Sequence, residues 1–179
     1  MSSPADSVVA VRKALRRFRR NRRGSAAVEF ALVAPAFFAL LFAIIETALV
    51  FFAGQVLETG LQDTGRAIYI SKTMTSAEFK QALCDRVVVL FSCSDLYVDL
   101  RSYAVGTTIT ITDPIDASGN FVNNFVYQPP TSLDQTVVVR AFYQWPLIVT
   151  GLGYNIANIG RGTSNSKRLL ASTNAFRAQ

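Results

Sequence analysis

The chain has 179 residues and a formal net charge of +6, yet it contains no histidine and only two cysteines. It therefore lacks the commonest general base and neutral metal ligand, and two cysteines cannot build a four-ligand zinc site of the usual kind. The sequence also has no P-loop and no nucleophile-elbow pattern. We therefore expect a protein that is not an enzyme and that carries no cofactor.

The positive charge is concentrated at the N-terminus. Residues 1–24 carry eight Lys or Arg and one acid, Asp6, whereas residues 25–179 sum to a charge of −1. This distribution argues against nucleic-acid binding and indicates a basic leader at the surface of anionic lipid, worth ~1 kcal/mol per basic residue. An amphipathic leader helix and a disordered leader are both compatible with the sequence. The apolar face of such a helix would contain Val8, Val11, Leu15 and Phe18.

A long apolar stretch follows the leader. Residues 26–53 contain only two charged side chains, Glu29 and Glu46, and as a helix they would extend over ~42 Å. That length exceeds the ~30 Å hydrocarbon core of a bilayer. The stretch also has more residues than the apolar region of a signal peptide, which has ~7 to 15. We therefore expect a transmembrane helix over residues 25–54, with a kink or local melting at Pro35. The basic flank predicts that residues 1–24 lie in the cytoplasm. The domain of residues 55–179 is then expected on the other, periplasmic side of the membrane.

Glu29 is the residue that a plain membrane anchor does not explain. A carboxylate costs ~2.5 to 3.5 kcal/mol at the bilayer centre and less near the surface, so we expect Glu29 to have a partner. Cleavage between Gly24 and Ser25 would create an α-amino group one helical turn before Glu29. Glu46 lies ~26 Å further along the axis. It is expected at the outer interface, where water satisfies a carboxylate, in preference to a contact between subunits.

The order Arg-Arg-Gly, four residues, Glu-Phe and an apolar run resembles the prepilin leader and its cleavage site. The matching positions are Gly24, Ser25 and Glu29, and the pair of Glu29 and Phe30 is similar to the Flp branch of the tight-adherence (Tad) machinery. A chain of this length that begins this segment with GSAAVEFALVAP resembles the TadE-type pseudopilins. The resemblance implies cleavage by a prepilin peptidase in the bacterial inner membrane. It also implies assembly through Glu29 with other Flp/Tad pilins and pseudopilins on an inner-membrane platform.

Beyond the apolar stretch, a helical stripe predicts that the first helix continues to about Tyr69. The stripe consists of Val56 or Leu57, Leu61, Thr64 and Ile68. Three glycines, Gly54, Gly60 and Gly65, each weaken this part by up to ~1 kcal/mol relative to alanine, so packing must hold it. A second helix is predicted from Thr75 or Ser76 to about Phe91.

The two cysteines, Cys84 and Cys93, flank the end of the second helix. In an exported domain the compartment is oxidising, so an even pair of cysteines is most simply a disulfide. Closing this loop would add roughly 2 to 3 kcal/mol in the chain-entropy model. Two buried free thiols are the alternative, which conflicts with the topology that the charges predict.

The apolar period then changes from helix to strand. Leu96, Val98 and Leu100 alternate with Tyr97, Asp99 and Arg101, which predicts a strand with one buried face. Further strands are predicted over residues 107–112, 121–127, 136–143 and 167–176, with a loop over residues 151–162. The chain is therefore expected to have an α+β fold with an antiparallel sheet. The segments LYVDLRSY, VVRxxYxWP and NAFR, in this order after the cysteines, are similar to the TadE-type pattern.

Three functions are compatible with these features. The resemblance favours a minor pilin or pseudopilin, cleaved after Gly24, that primes, tips or assembles the filament. An uncleaved, signal-anchored periplasmic binding or scaffold domain explains the topology but not the spacing of Glu29 from Gly24. A membrane-anchored enzyme is the third, and the sequence shows no catalytic constellation for it.

Overall fold

The computed structural model describes residues 24–70, 74–152, 154–163 and 165–178. The leader segment from Val8 to Phe18, for which the sequence allows an amphipathic helix or disorder, lies outside these residues. The described elements are α1 (Ser25–Ile70), α2 (Ser76–Val87), β1 (Leu96–Tyr103), β2 (Thr136–Pro146), β3 (Lys167–Arg177) and the short 3₁₀ helices Cys93–Asp95 and Val149–Leu152. Two helices followed by a three-stranded antiparallel sheet confirm the predicted α+β fold.

Helix α1 is continuous over 46 residues. It continues through Pro35, so the predicted local melting there is wrong, since the loss of one hydrogen bond to the carbonyl of Ala31 does not interrupt the helix. Its end at Ile70 confirms the predicted extension to about Tyr69. The chain divides into two compact units between Phe42 and Ala43.

The described part of the first unit consists of Gly24 and the first eighteen residues of α1. Its large apolar side chains are exposed around the helix, and they are Val28, Phe30, Leu32, Val33, Phe37, Phe38, Leu40, Leu41 and Phe42. A helix that is apolar on all sides is stable where lipid or other helices surround it. This part of α1 therefore has the surface of a membrane span.

In the second unit, α1 contributes a stripe to the main core. The stripe is formed by Val50, Ala53, Leu57, Leu61 and Ile68, all buried, while Val56 is only half-buried. The stripe packs in one apolar cluster with α2 and the sheet. The predicted amphipathic continuation is thus confirmed, with Leu57 rather than Val56 as the core residue.

Helix α2 begins with a capping box. The backbone N–H of Glu78 donates to Thr75 Oγ1 at 3.3 Å, and the N–H of Thr75 donates to Glu78 Oε2 at 2.7 Å. The bond from the Thr75 backbone lowers the pKa of the Glu78 carboxyl. Both ends of the box satisfy N–H groups that the first helical turn leaves without acceptors. The predicted start at Thr75 or Ser76 is confirmed.

The predicted end of α2 at Phe91 is wrong, because the helix ends at Val87. Cys84 and Cys93 form a disulfide with a Cα separation of 5.6 Å, whereas nine residues of helix would separate them by ~13 Å. The chain must therefore turn back after Val87. The predicted disulfide is confirmed.

The sheet has the order β1, β2, β3. Leu96 lies opposite Tyr143, and Val137 lies opposite Phe176. The strands predicted over residues 96–101, 136–143 and 167–176 are confirmed, and each is slightly longer than predicted. The strands predicted over residues 107–112 and 121–127 are wrong.

Those two segments belong to a long loop, residues 104–135, between β1 and β2. Ile109 and Ile111 are exposed, so their alternation with threonine has no core to face. The loop instead makes isolated bridges, one of which pairs Leu100 with Tyr127.

The long loop covers the face of the sheet that is opposite the helices. A second apolar cluster forms there from Phe142, Ile159 and Leu169 with Tyr97, Ile115, Phe121 and Phe125. Asp99, predicted on an exposed face, is only 1% exposed as a result. A one-faced reading of β1 was wrong because loop residues distant in sequence bury its second face.

Two glycines of α1 provide a test of how closely the helices pack. A Cβ on Gly60 would lie 2.7 Å from Val87 Cγ1 of α2, whereas a Cβ on Gly54 would meet nothing within 4 Å. We expect Gly60→Ala to lower the free energy of unfolding by about 1 to 3 kcal/mol through overpacking. Gly54→Ala should raise it by up to ~1 kcal/mol through helix propensity. Thermal unfolding of both full-length variants in detergent, followed by circular dichroism, measures the difference, and equal shifts would contradict it.

Candidate functional site

The residues proposed for processing lie at the beginning of α1. Gly24 is exposed and directly precedes Ser25, the first residue of the helix. Glycine is a poor helix former, which suits it to this boundary. The Gly24–Ser25 peptide bond therefore lies where the regular helix begins.

Glu29 and Phe30 follow in the second turn of α1. Both side chains are exposed, Phe30 to 69%. Glu29 is four positions after Ser25 in the helix, a rise of about 6 Å along the axis. The structure thus places the predicted cleavage position and the predicted assembly residues at one end of one helix.

Glu46 is buried in the domain, and water does not satisfy its carboxylate as the sequence predicted. It is 7% exposed, and its carboxylate accepts hydrogen bonds from the backbone N–H groups of Ile148 and Val149. The Val149 N–H lies 3.1 Å from Oε1 and 3.3 Å from Oε2. These N–H groups begin the 3₁₀ helix Val149–Leu152, where no acceptor within the turn is available. The charge is satisfied by backbone donors, not by interfacial water.

Thr47 reinforces this attachment. Its hydroxyl donates to the carbonyl of Ala43 at 2.7 Å and lies 3.0 Å from the hydroxyl of Tyr154. Glu46 and Thr47 therefore fasten α1 to the connection between β2 and β3. Sequence reasoning missed this contact because its partners lie more than a hundred positions away.

A buried ion pair lies on the face of the sheet that is opposite the helices. Asp99 of β1 is directly opposite Arg140 of β2, with 2.6 Å between Oδ2 and Nη2 and 3.0 Å between Oδ2 and Nε. Arg101 Nε lies 3.2 Å from both Asp99 oxygens, and the backbone N–H of Val126 donates to Oδ1 at 2.9 Å. The Asp99 carboxylate thus joins two strands and the long loop.

Arg140 extends this network. Its Nη1 donates to the carbonyl of Thr112 at 2.8 Å, and its guanidinium lies 5.2 Å from the centre of the Phe142 ring. The distance allows a cation–π interaction. Because every one of these contacts is internal, the arrangement fixes the loop of residues 104–135 to the sheet.

The sequence carried a signal for this pair that our reasoning did not use. Arg140 is the single charged residue in the apolar run of residues 136–143, and Asp99 is the single acid of β1. Opposite charges in two strands of one antiparallel sheet favour cross-strand pairing. Both residues belong to the segments that resemble the TadE-type pattern.

Tyr127 of the long loop also has a structural role. Burial, with the nearby Glu78 carboxylate as a smaller cause, raises the pKa of Tyr127 to about 12. Its hydroxyl donates to the carbonyl of Met74 at 3.0 Å. Within the described ranges, no group of three or more His, Cys, Asp or Glu residues is placed to hold a metal ion.

Together these features define a class of protein, in which one apolar helix continues into an α+β domain. In the part of the chain that the structure describes, the segment Ala26–Ile68 is long and apolar enough to cross a membrane.

The family model of TadE-like proteins matches residues 24–66, from Gly24 through most of α1. The predicted resemblance to TadE-type proteins is thereby confirmed, and it associates the protein with Flp/Tad pili. Comparisons with curated proteins and with solved structures give no match.

Proposed function

We propose that this protein is a minor pilin or pseudopilin that takes part in assembling a Flp/Tad-type pilus. The observation that carries the proposal is the TadE-like match, which begins at Gly24, one residue before α1. In this role the protein acts structurally and not as an enzyme. Its folded domain supplies the protein surface outside the membrane, and the N-terminal part of α1 contacts lipid and other pilins.

The proposed topology follows from charge and hydropathy. Residues 1–24 form a basic leader in the cytoplasm, and a prepilin peptidase removes it after Gly24. Residues 25–54 cross the bacterial inner membrane, and residues 55–179 lie in the periplasm. The disulfide between Cys84 and Cys93 is consistent with an oxidising compartment.

The exposed apolar surface of α1 suits a helix that is surrounded first by lipid and then, in the assembled pilus, by other pilin helices. The large apolar side chains between Val28 and Phe42 are exposed around the helix. Such a surface is equally satisfied by acyl chains and by neighbouring pilin helices. Glu29 and Phe30 lie on it, and the proposed partners are other Flp/Tad pilins, pseudopilins and the inner-membrane assembly platform.

Processing is the direct test of this proposal. We expect the native protein to begin at Ser25, because the peptidase reads the basic leader and the small residue before the cut. Intact mass and N-terminal sequencing of protein from the native membrane measure this. Gly24→Trp should give a protein heavier by the leader, as should the unchanged chain in cells without the peptidase.

A native N-terminus at Met1, in cells with an active prepilin peptidase, would contradict the proposal. The uncleaved, signal-anchored periplasmic scaffold would then be the better description, since it requires the same helix and no processing.

A further inference from the structure

An exposed isoleucine lies beside α1 at the position of Glu46. Ile148 is 89% exposed, and its backbone N–H donates to the Glu46 carboxylate, which fixes its place on the helix. Tyr154, in the same connection between β2 and β3, touches Thr47 through its hydroxyl and is 41% exposed. An apolar and an amphipathic side chain therefore flank α1 at one end of the sheet.

The exposed surface of α1 remains apolar beyond this position. Leu49, Phe51 and Phe52 are all about half-exposed or more, and the next charged residue of the helix after Glu46 is Glu58. Phe52 lies ~9 Å further along the axis than Glu46. Ile148 thus lies below the outer edge of the exposed apolar surface by about the ~5 to 10 Å to which interfacial side chains enter a bilayer.

Charge at this end of the sheet fits the same partner. Lys167 begins β3 directly opposite Pro146, the last residue of β2, and Arg161 and Arg168 are exposed nearby in sequence. The sequence has no acid after Asp134. Basic residues are attracted to anionic headgroups, and tyrosine is enriched where a membrane meets water.

We propose that the connection between β2 and β3 inserts Ile148 into the outer interface of the bilayer that α1 spans. One end of the sheet is then in contact with the lipid, so that the domain is attached to the membrane surface as well as to α1. The backbone donors of Ile148 and Val149 keep the Glu46 carboxylate out of the lipid. This inference rests on the proposed membrane anchoring and goes beyond it by naming the surface of the domain that contacts lipid.

Accessibility of a nitroxide label tests the contact. Ile148→Cys, Phe38→Cys and Leu133→Cys are labelled in the full chain, in nanodiscs of phosphatidylethanolamine and phosphatidylglycerol. Both native cysteines are held in the disulfide, so each introduced cysteine is the single free thiol. Leu133 is the matched control because it is 59% exposed and precedes β2, whereas Ile148 follows it. The 11 residues of β2 separate the two by about 35 Å.

We expect the label at position 148 to be more accessible to oxygen than to a water-soluble nickel chelate, like the label at position 38. The label at position 133 should show the reverse. If position 148 behaves like position 133 while position 38 remains protected from the nickel chelate, α1 anchors the protein but the domain does not contact lipid. That result overturns this inference. Protection of position 148 from both reagents indicates contact with protein and also overturns it. Loss of protection at position 38 overturns the anchoring itself, and the inference with it.

Discussion

Replacing Asp99 with alanine is expected to lower the free energy of unfolding by about 3 to 5 kcal/mol, because it leaves a buried guanidinium without its carboxylate. Arg140 is 4% exposed, so water cannot replace the lost partner. The same change removes the acceptor of the Val126 N–H and the contact with Arg101. The two strands and the loop of residues 104–135 would all lose the carboxylate that joins them.

Thermal unfolding and urea unfolding of the full-length protein in detergent measure this loss. Arg177→Ala is the matched control because it breaks an exposed pair, with 3.3 Å between Arg177 and Asp134. Exposed pairs contribute up to about 1 kcal/mol, so the control should change little. The arginine is the better side to remove, since Asp134 has a φ of 73°, where alanine is strained. Equal effects of the two variants would show that the Asp99 network contributes no more than a surface pair.

The elements that the sequence predicted well depend on local signals. Helix α1 follows from a long apolar run and the stripe that continues it, the start of α2 from the capping box at Thr75, and β2 from a run of valines and aromatics. Each of these patterns can be recognised from residues that are close together in the sequence. The antiparallel sheet follows from such segments taken in order, and the disulfide follows from an even pair of cysteines in a domain predicted to be exported.

The features that sequence reasoning missed depend on contacts between distant segments. The burial of Asp99 requires the loop of residues 104–135, and the burial of Glu46 requires the connection that follows β2. Residues 107–112 show the converse error, since alternation without a core to face gives no strand. Periodicity reports which faces are apolar, but it does not report which segment covers them.

The burial of Glu46 also changes how the role of Glu29 should be tested. Glu46→Ala would leave the N–H groups of Ile148 and Val149 without their acceptor, at a cost of about 1 to 3 kcal/mol for the buried donor of Val149. A loss of assembly in that variant would reflect a damaged domain. Glu46→Ala is therefore unsuitable as a control for a substitution of Glu29, although Glu46 is the other carboxylate of the apolar stretch, and the control must come from the exposed part of α1.

We expect Glu29→Ala to abolish assembly while leaving insertion and cleavage unchanged. After cleavage the Ser25 amine and the Glu29 carboxylate carry opposite charges at the edge of a low-dielectric layer, where each reduces the desolvation cost of the other. The amine belongs to the same chain or to a neighbouring subunit that the carboxylate draws into register. Removing the carboxylate changes the length and the hydrophobicity of the span little, so insertion and cleavage should persist.

The assays are the amount of mature protein in the membrane, its co-purification with other pilins, and the number of surface pili. Glu29→Gln should fail as Glu29→Ala does, because it keeps the size of the side chain and removes only its charge. Val28→Ala is the matched control, since Val28 is the preceding residue and is 61% exposed on the same helix. It shortens one apolar side chain of the same surface and removes no charge, so it should reduce assembly much less than either Glu29 variant. Wild-type piliation and co-purification in both Glu29 variants would exclude an assembly role for this carboxylate and favour the plain membrane anchor, whereas failure of Val28→Ala as well would assign the effect to helix packing.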